Sequence, residues 1–268
     1  MRRLSALTLS FIIAAFALST MVSVPAWAWG KTGHRVSGQI ANSYLSDDAR
    51  DAVKSILGVE DLAEASTWPD FMRSSSGDFW RKEASPYHYV TIPKNQTYTQ
   101  VGAPKKGDAI TALAKFRKVL RDDDASLEDK QLALRFTIHI IGDLHQPMHV
   151  GDGTDRGGND VSMTFFGDLT NLHRVWDSGL IKQEELSYSE FSQWLERRIT
   201  PEQVEMWSVI DPVIWVEESA AIRDTIYPTG DRDEAWGYVY DNRATMRTRL
   251  SQAGIRLSAY LNDVFAEQ

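Results

Sequence analysis

Residues 127–149, "LEDKQLALRFTIHIIGDLHQPMH", read as one long helix that carries its own start signal, its own stop signal and several candidate metal donors. Ser126 and Asp129 form a capping box at the start. Pro147 cannot continue a helix and biases Gln146 away from the helical region. His139 and Asp143 are four residues apart, so both side chains leave on one face. An imidazole nitrogen and a carboxylate oxygen placed that way can bind one metal ion at about 2.0–2.2 Å. His149 sits just past the expected helix end and is free to turn toward a different point. His145 is two residues from Asp143, about 200° around the helix, and faces away from the first pair.

Working outward, most of the chain reads as helix. Ser46, the acids of "DDARDAVKSIL" and Gly58 give an N-cap, a negative first turn and a C′ glycine. Residues 107–122 are amphipathic, with Ile110, Leu113, Ala114, Val119 and Leu120 near helical spacing. Further helices are expected near 187–199, 208–226 and 234–263. Strand-like pieces are few: "YHYVTIP" (87–93) and "VSMTFF" (161–166), the second reached through the glycine-rich loop "GDGTDRGGND" (151–160). There is no repeat, low-complexity tract or linker. The fold class is mainly α, a single helical domain with a small β-hairpin.

The N-terminus has a different character. Arg2 and Arg3 precede an apolar run from about Ala6 to Leu18, then Pro25 and Ala26-Trp27-Ala28, which fits the small-x-small rule for signal peptidase. The run is short for a membrane span. Residues 1–28 are therefore read as a signal peptide and 29–268 as the mature domain, with an uncleaved anchor as the alternative. The whole chain carries net charge −8, and removal of the two leader arginines takes the remainder to −10. An acidic surface argues against broad adhesion to polyphosphate. With no cysteine, stability has to come from packing or from metal.

The chain has six histidines. His173 and Asp177 make a second i, i+4 pair in "TNLHRVWDSG", where Thr170 or Asn171 can cap a short helix. Asp70 stands in "STWPDFMR" with Arg73 three residues on. His88 and Tyr89 alternate along the extended 87–93 segment and point to opposite sides. Each feature alone has a plain structural explanation: a surface hydrogen bond, an ion pair, a buried histidine satisfied by a carbonyl.

Together, the segments "WGKTGHR", "ASTWPDFMR", "YHYV", "HIIGDLHQPMH", "DRGGND" and "TNLHRVWD" resemble the S1/P1 nuclease family of zinc-dependent enzymes. The resemblance runs from Trp29 to Asp177. It implies the helical fold shared by zinc-dependent phospholipase C and P1 nuclease, and three zinc ions in one cleft. One ion would take Asp70, His88, His139 and Asp143. A second would take His149, His173 and Asp177. The third would take His34, a shared Asp143, and the amine and carbonyl of Trp29, freed by cleavage after Ala28. Gly30 and Gly33 would let the backbone fold tightly round that ion. Three Zn²⁺ against three ligand carboxylates would make the cleft positive on an acidic chain.

The implied reaction is hydrolysis of single-stranded DNA or RNA to 5′-phosphate products, with 3′-nucleotides as further substrates. Asp70 and Asp143 would act through the metals and Arg73 would clamp phosphate. Tyr89 would stack on a base, Thr91 would lie at the base edge and Asn159 would add a hydrogen bond. Thr91 stands where the family usually has a carboxylate or amide. His145 and Asp155 would orient ligating imidazoles or bond local backbone. Trp68 and Trp176 read as packing walls. The competing readings are a zinc-dependent phospholipase C and a non-catalytic periplasmic zinc-binding protein. The leader and missing cysteines suggest secretion into a bacterial periplasm or the medium, and no protein partner is evident. The 90 C-terminal residues carry no motif and read as scaffold.

Overall fold

The computed structural model describes residues 29–229 and 235–266, so the signal-peptide assignment of 1–28 lies outside the described residues. The helices are α1 (Lys31–Tyr44), α2 (Asp47–Leu57), α3 (Leu62–Ala65), α4 (Trp68–Met72), α5 (Tyr98–Val101), α6 (Ala109–Leu120), α7 (Leu127–Leu144), α8 (Leu172–Arg174), α9 (Leu180–Lys182), α10 (Tyr188–Glu196), α11 (Pro201–Trp207), α12 (Pro212–Arg223) and α13 (Ala235–Val264). Two small sheets interrupt them. Strand β1 (Val90–Thr91) pairs in parallel with β2 (Val150–Gly151), and β3 (Ser162–Phe165) pairs antiparallel with β4 (Asp168–Asn171).

The cap at Ser46 is present as read, but the capping box expected at Ser126 forms only in part, because the Asp129 carboxylate accepts from Ser126 Oγ and not from its backbone N–H. Ser46 accepts from Ala49 N and Ser126 accepts from Asp129 N, while Gly58 closes α2 at φ 70°. In α6 the buried stripe is Ala109, Ala112, Leu113, Phe116 and Leu120. It is rotated from the expected one because Phe116 stacks on Phe136 of α7. The helix expected over 208–226 begins at Pro212, and α11 precedes it as a separate element, with Thr200 as its cap.

The extended reading of 87–93 is corrected. Ser85–His88 is a 3₁₀ turn started at Pro86, and only Val90 and Thr91 pair. The hairpin is real, but its second strand "DLTN" is too polar to register as one. Its two-residue turn, Phe166–Gly167, has φ of 51° and 87°. Those values match a primed hairpin turn.

Two apolar clusters build the core. One joins α2, α6, α7 and the C-terminal part of α13; the other joins α1, Trp29, Trp176, α10 and the N-terminal part of α13. Helix α1 packs along α13 and against α3 and α10, and it meets α7 at Gly142. Among the described residues no helix is long and apolar enough to cross a membrane.

Candidate metal centre

The face of α7 that the sequence singled out is buried, and it lies under α1. A Cβ at Gly142 would come within 2.8 Å of His34 Nδ1, so the glycine is what admits that imidazole. His34 Nε2 then lies 3.2 Å from Asp143 Oδ1. The other Asp143 oxygen, Oδ2, is 3.2 Å from His139 Nε2 and 3.1 Å from His88 Nδ1. Asp70, at the start of α4, places Oδ1 3.8 Å from His139 Nε2. His34 stacks on His139 with ring centroids 4.1 Å apart. Donor atoms of His34, His139 and Asp143 converge within 4.8 Å, as do those of Asp70, His88 and His139.

A second group forms where the chain leaves α7. His149, His173 and Asp177 make a third buried triad. His173 Nε2 is 3.2 Å from His149 Nε2 and 3.4 Å from Asp177 Oδ2. Asn171 caps α8 by accepting from Arg174 N. The helix does not continue regularly to Asp177, because Val175–Gly179 widens into a π-turn. Such turns recur at functional sites.

Three of the five triad imidazoles have a backbone partner. His139 Nδ1 donates to Ser66 O (2.7 Å), His149 Nδ1 to His88 O (2.6 Å) and His173 Nδ1 to Gly157 O (2.6 Å). That leaves each Nε2 facing the cluster. Burial, then neighbouring imidazoles, holds His34 and His88 well below the ordinary histidine range; burial and His173 do the same for His149. Burial brings His173 down to about 4. His139 is the exception: burial opposes its charge, but Asp143 and Asp70 outweigh burial and raise it to about 9. Burial lifts Asp177 well above the usual carboxylate range.

The residues present fit divalent cations. Both His34 ring nitrogens, Asp70 Oδ1, His88 Nε2 and Asp143 Oδ1 are buried and have no aligned hydrogen-bond partner. His34 and Asp143 are close at 3.2 Å, yet off hydrogen-bond geometry. Unsatisfied buried polar atoms cost about 1–3 kcal/mol each. Five in one cluster, all imidazole or carboxylate, suit a zinc-type donor set.

The family model for S1/P1 nuclease matches residues 29–266. The chain belongs to the S1/P1 nuclease family. It is 32% identical over 280 residues to Endonuclease 4 of Arabidopsis thaliana, covering 91% of both chains. It is 27% identical to Nuclease S1 of Aspergillus oryzae, covering 90% of this chain and 93% of that one. It is also 27% identical to Nuclease P1 of Penicillium citrinum, covering 90% and 99%. Membership makes the chain an enzyme of the nuclease class and fits its mainly helical fold.

Other residues of this S1/P1 nuclease singled out in the sequence fall as follows. Trp29 is buried, its indole Nε1 without a partner, and Gly30 N next to it donates to Asp177 O at 2.6 Å. Gly30 and Gly33 allow tight backbone packing without positive φ. Gly30 has φ −49° and Gly33 lies inside α1, so neither supplies a left-handed turn. They are required by close packing instead: a Cβ on Gly30 would strike Ser178 Oγ, and one on Gly33 would meet Ile181 Cδ1 at 2.8 Å.

Arg73 Nη1 is 3.6 Å from Asp70 Oδ1, with 30% of its side chain exposed. Its charge helps depress His88, His149 and His173 alike, so it borders both groups. Tyr89 is exposed while His88, at the end of the 3₁₀ turn, is buried, and Thr91 is exposed two residues on. The Asn159 amide donates to Arg156 O within its own loop.

His145 does not orient a ligating imidazole. Its Nδ1 donates to Ile141 O (2.7 Å) and its Nε2 accepts from Arg256 Nη1 (3.1 Å), because it faces α12 and α13. Asp155 acts one step back: it accepts from Gly158 N and from the Tyr227 hydroxyl, fixing the loop whose Gly157 carbonyl holds His173. Trp176 is a packing wall, with Nε1 donating to the Tyr238 hydroxyl.

Sequence reasoning missed Gln146. It is fully buried; its Nε2 donates to Asp177 Oδ1 (2.6 Å) and its Oε1 accepts from Met148 N (2.6 Å). Its place between Asp143 and His149, beside the proline that ends the helix, was the available signal.

Proposed function

We propose that this protein is a trizinc phosphodiesterase that cleaves single-stranded DNA and RNA endonucleolytically to 5′-phosphate products and also hydrolyses 3′-nucleotides. The observation that carries the reading is the convergence of eight buried side chains, three imidazole–carboxylate triads in all, with five polar atoms left unpaired. The relatives are named nucleases and endonucleases. The zinc sets follow the same residues: Asp70, His88, His139 and Asp143; His149, His173 and Asp177; His34 and Asp143 with the Trp29 backbone. Bound zinc would supply Lewis-acid stabilisation of the phosphoryl charge and acidify water.

The chain's own residues do the rest. Asp143 faces His34 with Oδ1 and both His139 and His88 with Oδ2, and so links two of the triads. Arg73, partly exposed beside Asp70, meets the substrate phosphate and offsets charge in the transition state. The exposed Tyr89 ring stacks on a base, which favours unpaired strands over duplex. Thr91 presents only a hydroxyl and a methyl to the base edge, so base discrimination is weak. Asn159 lies in the loop beside the second group, its amide engaged by Arg156 O.

Residues 1–28 would be the export leader, sending the protein to the periplasm or the medium. Cleavage after Ala28 would make Trp29 the N-terminus, and the family match begins at that residue. The test is metal analysis of correctly processed protein, together with assays on single-stranded DNA, RNA, 3′-AMP and short-chain phosphatidylcholine. Three zinc ions and nucleic-acid cleavage are expected. Lipid cleavage alone would favour a phospholipase C, and metal without turnover would favour a zinc-binding protein.

A further inference from the structure

Arg223 ends α12 with its guanidinium buried, although it belongs to none of the donor sets. Its Nη1 donates to two backbone carbonyls at once, Ile92 O at 2.8 Å and Val150 O at 2.7 Å. Its Nε and Nη2 donate to Asp224 Oδ1 at 3.0 and 2.9 Å. Ile92 directly follows β1 and Val150 opens β2. Two residues before β1 stands His88, and one residue before β2 stands His149. The single nitrogen therefore ties together the two chain segments that deliver one donor to each half of the metal centre.

Those segments have little else to hold their register. Their parallel ladder is only two residues long, Val90 against Val150 and Thr91 against Gly151. Beyond it lie one bond from Ile92 N to Gly151 O (2.9 Å) and the His149 Nδ1 bond to His88 O (2.6 Å). Pairing this short is marginal by itself. Burying a guanidinium is costly unless its hydrogen bonds are made, and an apolar side chain would fill the same volume at lower cost. What the cation supplies, and an apolar group cannot, is a shared donor for two carbonyls on different segments of the chain.

We propose that Arg223 is a positioning residue of the metal centre: by clamping β1 to β2 it sets the separation of His88 from His149. The proposal rests on reading the triads as metal sites. Its test is zinc content per chain of the full processed protein during graded chelator dialysis, beside thermal unfolding of the chelated form. Three variants are compared: Arg223→Met, Arg223→Gln, which keeps one donor group, and Leu120→Ala, a core truncation in α6 away from the centre.

Arg223→Met should release at least one zinc ion at 10–100-fold lower chelator, the usual penalty for losing a group that supports ligands. Arg223→Gln should fall between it and wild type. Leu120→Ala should lower the unfolding temperature but keep the wild-type release profile. A wild-type profile in Arg223→Met, whatever its stability, would overturn the clamp. If Arg223→Met does not accumulate, Arg223→Gln carries the same prediction, and a wild-type profile there overturns it. Wild-type protein that takes up no zinc would overturn the metal reading itself.

Discussion

Gly142 and Gln146 show how single residues decide whether neighbouring donors reach the centre. The space a Gly142 side chain would fill is taken by His34, whose Nδ1 would lie 2.8 Å from the added carbon. His34 sits on α1 and cannot retreat, since α1 is packed against α13 and α3. Gly142→Ala is therefore expected to cost about 1–3 kcal/mol by overpacking and to lower zinc content, read by metal analysis and urea unfolding. A variant that keeps full zinc content would show that α1 yields. Gln146 acts on the other half. Gln146→Leu fills a similar volume but strips Asp177 Oδ1 and Met148 N of their partners. Metal affinity at the His149, His173 and Asp177 triad should drop 10–100-fold, measured by competition with a chromogenic chelator.

At the scale of elements, the end of α7 explains why the C-terminal helices matter. A helix leaves its last four carbonyls without internal partners. Here Ile141 O accepts from His145 Nδ1, Leu144 O from Ser219 Oγ and His145 O from Arg249 Nε. Asp143 lies inside that final turn and His149 just beyond it, so α12 and α13 hold the ground both donors stand on. Arg249 also bonds Ser219 Oγ and Glu218. Arg249→Leu removes all of these donors and leaves buried carbonyls unpaired. A loss of about 3 kcal/mol in urea unfolding is expected; a loss under about 0.5 kcal/mol would mean that the turn is held without it.

At the scale of the whole molecule, one buried carboxylate joins distant parts. Glu184 follows α9, the continuation of the π-turn that carries Asp177, and accepts bonds from Arg243 and Arg247 on α13. Burial works to raise its pKa, but the two guanidiniums outweigh burial and hold it below the ordinary 4.5. A carboxylate depressed in the folded state stabilises above its unfolded pKa and stops doing so as pH falls through its folded value. The contribution is thus complete at pH 7 and is lost below about pH 4.5. The urea midpoint should fall between pH 5 and pH 3, and Glu184→Gln should flatten that fall; an unchanged slope would remove Glu184 from the account. Metal acts on the same scale. Chelation should lower the unfolding temperature, since each ion at 100 times its dissociation constant adds about 2.7 kcal/mol.

Helical spacing alone pairs His139 with Asp143, and Pro147 alone ends the first helix, whereas the full candidate donor set rested on the resemblance of the segments between Trp29 and Asp177. Caps at Ser46 and Ser126 were legible because their partners lie three residues away. Gln146, Ser219, Arg223 and Arg249 were not legible, and the C-terminal region looked like bare scaffold. Their bonds span 31 to 131 residues of chain. Local sequence determined which imidazoles and carboxylates share a helix face and where the helices begin and end, because periodicity and capping are short-range. Only the tertiary structure decided what holds those atoms in place, because a buried donor seeks whichever carbonyl or carboxylate the packing of distant helices brings within reach.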